Sequence, residues 1–156
     1  MSDSAPSRWV RAPRIRRLDH RQMEFLLARN TVGRIAFQGP AGIEMQPVHY
    51  VYADQAIIGR TSLGSKYRSW MLQQDVVFEI DEAENQFNWR SVIVRGRLSI
   101  LRPVGTLEAW EAYHRAVAAI RTQVQGAFTE RDPTPHREII FRIGLCEMTG
   151  REASRR

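Results

Sequence analysis

Apolar positions along the chain follow two periods, and the switches between them mark the elements. Asp19 offers an N-cap and Gln22, three residues on, completes a capping box. Met23, Leu26 and Leu27 follow at helical spacing and Asn30 closes the stretch, so a helix is predicted over His20 to Arg29. The period then shortens. Thr31 to Phe37, Ile43 to Tyr52 and Ala56 to Arg60 are rich in β-branched and apolar residues. Turns at Gly39-Pro40-Ala41-Gly42 and Ala53-Asp54-Gln55 join them into an antiparallel meander. Thr61-Ser62-Leu63-Gly64 breaks the pattern ahead of a short helix from Ser65 to Gln73, with Tyr67, Trp70, Met71 and Leu72 on its buried side. Strands follow at Asp75 to Asp81 and Trp89 to Leu101, joined by a polar connection from Glu82 to Asn88. Leu107, Trp110, Tyr113, Val117, Ile120 and Val124 recur at steps of three and four, the spacing of an amphipathic helix packed on a core. Gly126 to Pro135 is loop, and Glu138 to Met148 is a last strand alternating Ile139, Phe141, Ile143 and Leu145. Six strands with helices at the breaks imply a mainly β fold, an antiparallel barrel whose closure removes exposed edges.

A chain of 156 residues has room for one domain, here Leu18 to Arg151, with an Arg-rich arm before it and a short tail at 152–156. The longest apolar runs, such as Val92-Ile93-Val94, fall far short of the roughly 20 residues a membrane span needs. The opening is polar and carries no apolar stretch of the secretory kind, so a cytoplasmic protein is expected. Its one cysteine, Cys146, excludes an intrachain disulfide and a Cys-clustered metal site; in an apolar strand it reads as a buried, inert thiol. The net charge of +6 raises the question of nucleic acid. Residues 1–17 carry five arginines against Asp3, and residues 151–156 three against Glu152, which accounts for the whole surplus. The body between them is neutral. That distribution argues against a basic binding face and favours a solvated, disordered or loosely docked arm.

One segment concentrates chemistry. Arg60-Thr61-Ser62-Leu63-Gly64-Ser65-Lys66 places three hydroxyls, a glycine and two cations between a strand and a helix. A phosphate dianion suits that set: hydroxyls and free N–H groups donate, the helix N-terminus adds a positive dipole end, and the cations supply charge. The spacing is not that of a Walker loop, and ordinary capping at a strand-to-helix junction explains the same residues. His49 is a candidate proton donor, although a lone histidine in an apolar strand equally serves structure. His20, His114 and His136 share no metal-ligand spacing, so no metal is expected. Asp81, Glu82 and Glu84 read as a solvated loop.

Three strings and the chain's closing residues carry a family resemblance. They are Met45-Gln46-Pro47-Val48-His49-Tyr50-Val51-Tyr52, Thr61-Ser62-Leu63-Gly64-Ser65-Lys66, Trp89-Arg90-Ser91-Val92-Ile93-Val94-Arg95-Gly96-Arg97, and Met148-Thr149-Gly150-Arg151. In this order and spacing the chain resembles the pyridoxamine 5′-phosphate oxidase-like family, in its short, nitroimidazole reductase-like branch. The resemblance implies a six-stranded FMN-binding split barrel that dimerises, with cofactor sites at the subunit interface. By position, Pro47, Val48, His49 and Tyr50 would line the isoalloxazine ring. Arg60, Thr61 and Ser62 would meet the ring edge and ribityl chain, and Ser65 and Lys66 the phosphate. Trp89, Arg90 and Ser91 would close the site from the other subunit. The implied activity is a flavin-dependent oxidoreductase moving hydride or electrons between a reduced nicotinamide and a small organic acceptor. The long C-terminal segment of true pyridoxamine phosphate oxidases is missing, so that activity is not expected. Some relatives bind a deazaflavin or haem instead of FMN, and a carrier or sensor without turnover is the alternative.

Overall fold

The helix over His20–Arg29 (α1) begins as its capping box dictates: Asp19 Oδ1 accepts from the Gln22 N–H at 2.8 Å, and Gln22 Oε1 accepts from the Asp19 N–H at 3.0 Å. Met23, Leu26 and Leu27 form its buried stripe. In this computed structural model, which describes residues 12–72 and 75–155, the helix is preceded by β1 (Arg14–Arg17). It is followed by β2 (Val32–Gly39), β3 (Gly42–Ala53), β4 (Ala56–Thr61), α2 (Ser65–Leu72), β5 (Asp75–Asn85), β6 (Asn88–Leu101), α3 (Leu107–Arg121) and β7 (Ile139–Ser154). The strands run in the order β1-β7-β4-β3-β2-β5-β6, and a further pairing of β6 with β7 closes the ring. Each pairing is antiparallel.

Strand alternation sends one set of side chains inward. Leu27, Ile35, Tyr50, Ile57, Phe78, Val92, Val94 and Phe141 fill the barrel, and Trp70 from α2 packs edge-on against Phe37 and Phe141 with ring centroids 5.8 and 4.9 Å apart. A second cluster lies outside β4, where α3 sets Ala116, Val117 and Ile120 on Ala56, Ile58 and Ile140. The fold is therefore the mainly β, helix-decorated split barrel that the sequence predicts.

Several boundaries differ from expectation, each for a tertiary reason. Arg14–Arg17, assigned to the arm, is a strand paired with Arg151–Ser154, so the last strand runs on through residues expected to be tail. Residues 1–11 and Gln73 lie outside the described residues. The expected polar connection between the fourth and fifth strands shrinks to Gln86-Phe87, because Glu82-to-Asn85 and Asn88 continue the β5–β6 ladder. Met71 and Leu72 on α2 are exposed, as are Leu107 and Trp110 on α3, where only the later turns reach the core. Trp110 stacks instead on His114, at 4.1 Å between ring centroids. Cys146 is exposed, not buried. The β6–β7 register shifts between Arg95↔Glu147 and Gly96↔Leu145, which leaves Cys146 as the extra residue of a bulge and removes it from the alternation.

Candidate functional site

Pairing registers set where the sequence-derived residues meet. Tyr50 lies opposite Gly59, which places His49 beside Arg60, and on its other side β3 sets His49 opposite Val32. Gly59 permits this: a Cβ there would stand 2.7 Å from the His49 carbonyl oxygen and 2.4 Å from Phe141 Cζ. Pro47 and His49 face outward and are exposed, whereas Val48 and Tyr50 point into the barrel. The Tyr50 hydroxyl donates to the Leu27 carbonyl at 2.7 Å, and burial pushes its ionisation well above the ordinary 10.0. Val48 and Tyr50 thus hold the wall up from behind, and their side chains sit in the core.

A cleft of about 210 Å³ opens on the outer face of β3 and β4. Its floor is His49, Val51, Ile58 and Arg60, and its far wall comes from Ile120 and Val124 of the α3 end with Pro133, Thr134 and Arg137 of the following loop. Apolar side chains line the middle and polar ones the rim. The loop is fastened by a buried ion pair. Arg60 Nη1 and Nη2 donate to the two Asp132 oxygens at 2.6 and 3.0 Å, Nη2 also donates to Thr134 Oγ1 at 2.8 Å, and the two side chains are 7% and 3% exposed. The Arg60 hydrogen bonds hold the Asp132 carboxyl well below the usual carboxylate range, with backbone N–H donors from Phe128 and Thr134 adding to the effect against desolvation. The Arg60 guanidinium is therefore committed to the protein.

Beyond β4, Thr61 is buried, Ser62 and Lys66 are half-buried, and Ser65 is exposed. Asp19 caps α1 and Thr106 caps α3, and α2 starts directly after the Thr61–Gly64 segment. The Lys66 ammonium is depressed below its ordinary 10.5, first by burial and then by the nearby positive charge of Arg137. Thr61 pairs with Ile139, so the residues after Thr61 and those before Ile139 lie at one end of the sheet. Lys66 and Arg137 both belong to those stretches, and the sequence did not single out Arg137.

Trp89, Arg90 and Ser91 are elsewhere. Ser91 pairs with Asp81 on β5, three strand steps from His49, which is about 14 Å at the usual spacing. Trp89 and Arg90 line a different hollow with Arg16, Arg29 and Glu152. Within one protomer the structure does not bring them to the cleft. In that second region Glu152 accepts from Arg16 Nε and Arg90 Nε, each at 2.8 Å. Glu82, expected to be solvated, is half-buried and takes hydrogen bonds from Arg29 and Asn30. No group of His, Cys, Asp and Glu among the described residues could hold a metal ion. No helix among them is long and apolar enough to cross a membrane.

A closed antiparallel ring with a helix packed over its outer face is the architecture of the split-barrel class. The chain belongs to the pyridoxamine 5′-phosphate oxidase family, whose pattern matches residues 19–152. Its fold is similar to that of an FAD-binding protein from Mesorhizobium loti, at 24% identity and a TM-score of 0.71, covering 92% of this chain and 100% of that one. It is also similar to the FAD-binding protein of Mycobacterium smegmatis, at 23% identity and a TM-score of 0.62, covering 88% and 98%. An F420 reductase shares the fold at 19% identity and a TM-score of 0.55, covering 80% and 94%. At these identities the likeness establishes the fold. None of the curated proteins matches the chain.

Proposed function

We propose that this protein binds FMN in the β3–β4 cleft and uses it as a flavin-dependent oxidoreductase, passing hydride or electrons between a reduced nicotinamide and a small organic acceptor. The observation that carries this reading is the cleft itself, a largely apolar trough whose wall includes Arg137, at the end of the sheet where the Thr61–Lys66 segment leaves β4. The donor set suits a flavin, which needs an apolar wall for its ring, polar partners at its edge and an anion hole for its tail. His49, Val51, Ile58 and Val124 offer the wall and Gln123 an edge contact, and we assign Thr61, Ser62, Ser65 and Lys66, beyond the end of β4, to the phosphate. When bound, the flavin supplies the two-electron store. The chain's own residues fix its orientation, keep water from the covered ring face, and at His49 present an exposed imidazole to an incoming substrate.

The cleft's 210 Å³ is smaller than the roughly 300 Å³ of a typical small-molecule pocket, which supports a site completed by a second copy. We propose a homodimer in which Trp89, Arg90 and Ser91 of a second copy supply the missing wall. The deazaflavin alternative has support in the shared fold of an F420 reductase.

The absorbance spectrum of the purified protein, taken after incubation with FMN and desalting, tests the cofactor. A retained two-band flavin spectrum supports the reading. A Soret band, or retention of a deazaflavin alone, replaces FMN with that cofactor. Lys66→Ala should weaken FMN binding by about 10- to 150-fold, the equivalent of one charge-assisted contact. Unchanged affinity would remove Lys66 from the site. Reduction by nicotinamide donors separates an oxidoreductase from a carrier.

A further inference from the structure

The loop between α3 and β7 contains no regular element, yet it is pinned at one point. Asp132 accepts four hydrogen bonds: two from the Arg60 guanidinium, one from the Phe128 N–H at 2.7 Å and one from the Thr134 N–H at 2.9 Å. Phe128 is held in the left-handed region at φ 61°, which a bulky side chain rarely adopts, and its ring lies 5.0 Å beneath the Arg60 guanidinium carbon. Strain of this kind persists only where surrounding contacts over-determine the backbone. The chain then runs from Thr134, whose carbonyl accepts from the Arg137 N–H at 3.0 Å, into β7 alongside the Thr61–Lys66 segment. The pin therefore fixes one thing of chemical interest, the position of Arg137 at the cleft wall.

Charge bookkeeping at this end of the cleft explains why Arg137 matters. Arg60 is neutralised by Asp132 and contributes no net field. Arg137 lines the cleft wall two residues before Ile139, the β7 partner of Thr61, which places it at the same end of the sheet as the Thr61–Lys66 segment, and its charge helps depress the Lys66 ionisation. Two half-buried cations side by side are unfavourable alone and become favourable when a dianion sits between them. A phosphate monoester carries about −1.5 to −2 charges at neutral pH and offers three acceptor oxygens, enough for an ammonium, a guanidinium and N–H groups together.

We propose that Arg137 is the second phosphate-binding cation of this site, and that Arg60 and Asp132 are positioning residues that set it opposite Lys66. The pair makes the site selective for phosphorylated over unphosphorylated flavin. This deepens the flavin reading of the preceding subsection and rests on it.

The test titrates the full-length protein with FMN and with riboflavin. Arg137→Gln should lower FMN affinity about 10- to 100-fold and leave riboflavin affinity nearly unchanged. Asp132→Asn should also weaken FMN binding, and its effect should largely vanish in the Arg137→Gln background because both act through one contact. Should Asp132→Asn fail to fold, Thr134→Val removes one hydrogen bond from the same pin and takes its place. Equal losses for both flavins, no loss for either, or additive effects in the double variant would overturn the proposal. A parallel measurement separates this from failure of the flavin reading: the melting temperature in inorganic phosphate against chloride at equal ionic strength. A phosphate-specific rise that needs Arg137, in a protein that binds no flavin, sinks the flavin reading and keeps the two-cation site. Flavin binding indifferent to Arg137 does the reverse.

Discussion

Single residues carry most of the site's geometry, and Gly59 shows how. The chain needs no positive φ there; it needs room, since β3 and Phe141 close on it from two sides. Gly59→Ala should cost about 1–3 kcal/mol as overpacking and displace the His49 backbone. Thermal melting measures the first effect, and an unchanged melting temperature would mean that the sheet yields more easily than its contacts indicate. Lys66 gives a pH signature. Its folded ionisation lies below the ordinary 10.5, so the charged form that binds phosphate is lost earlier on the alkaline side than for a free lysine. FMN affinity should fall as pH rises toward that range, and Lys66→Arg should flatten the fall, because a guanidinium stays charged. A profile identical in both proteins would trace the effect to another group. Glu152 behaves in the opposite sense. Arg16 and Arg90 hold its carboxyl below 4.5, so its contribution is present above that pH and disappears as pH falls through the lowered value. Glu152→Gln should therefore destabilise by about 1–2 kcal/mol at neutral pH, discounted for its half-exposed partners, and the gap to the parent should narrow in acid. Urea melts at two pH values decide it.

At the scale of elements, what was legible in the sequence was what local chemistry encodes. The α1 capping box, the Asp54-Gln55 hairpin turn with φ 51° and 54°, and the β-branched, apolar runs of β2, β3 and β4 follow from neighbours along the chain. The elements that escaped owe their form to distant partners. Arg14-Ile15-Arg16-Arg17 reads as a charged arm because nothing local shows that Glu152, 136 residues away, will meet Arg16. Thr149 to Ser154 reads as a polar end for the same reason, although β6 and β1 flank it on both sides. The candidate site divides in the same way. The Thr61–Lys66 segment announces itself by composition, but Arg60 and Asp132 are 72 residues apart, and no spacing rule would pair them or single out Arg137. If β1 is a working strand, removing residues 1–17 should lower the melting temperature by several degrees, since β7 loses a ladder partner and Glu152 loses Arg16. An unchanged melting temperature would return Arg14–Arg17 to the status of an arm.

The whole molecule presents a face that a monomer has little reason to keep. Ile43, Met45, Val32 and Ile93 lie on the outer surfaces of β3, β2 and β6, exposed by 82%, 65%, 44% and 40%. Ile43 and Met45 share β3 with Pro47 and His49, and Val32 pairs with His49, so whatever covers these three also approaches the cleft. A second copy placed there would remove the apolar side chains from water and bring a second set of Trp89, Arg90 and Ser91 near the flavin ring. A charge on this face should therefore act on assembly and on cofactor together. Met45→Glu puts a carboxylate among apolar neighbours without touching the barrel interior, so the fold should survive while the proposed dimer dissociates. Light scattering should show the mass halving, and the same sample should retain less FMN after desalting. A variant that becomes monomeric yet holds FMN as the parent does would place the complete site within one chain. A variant that stays dimeric would move the interface to another face and leave these apolar side chains without a partner.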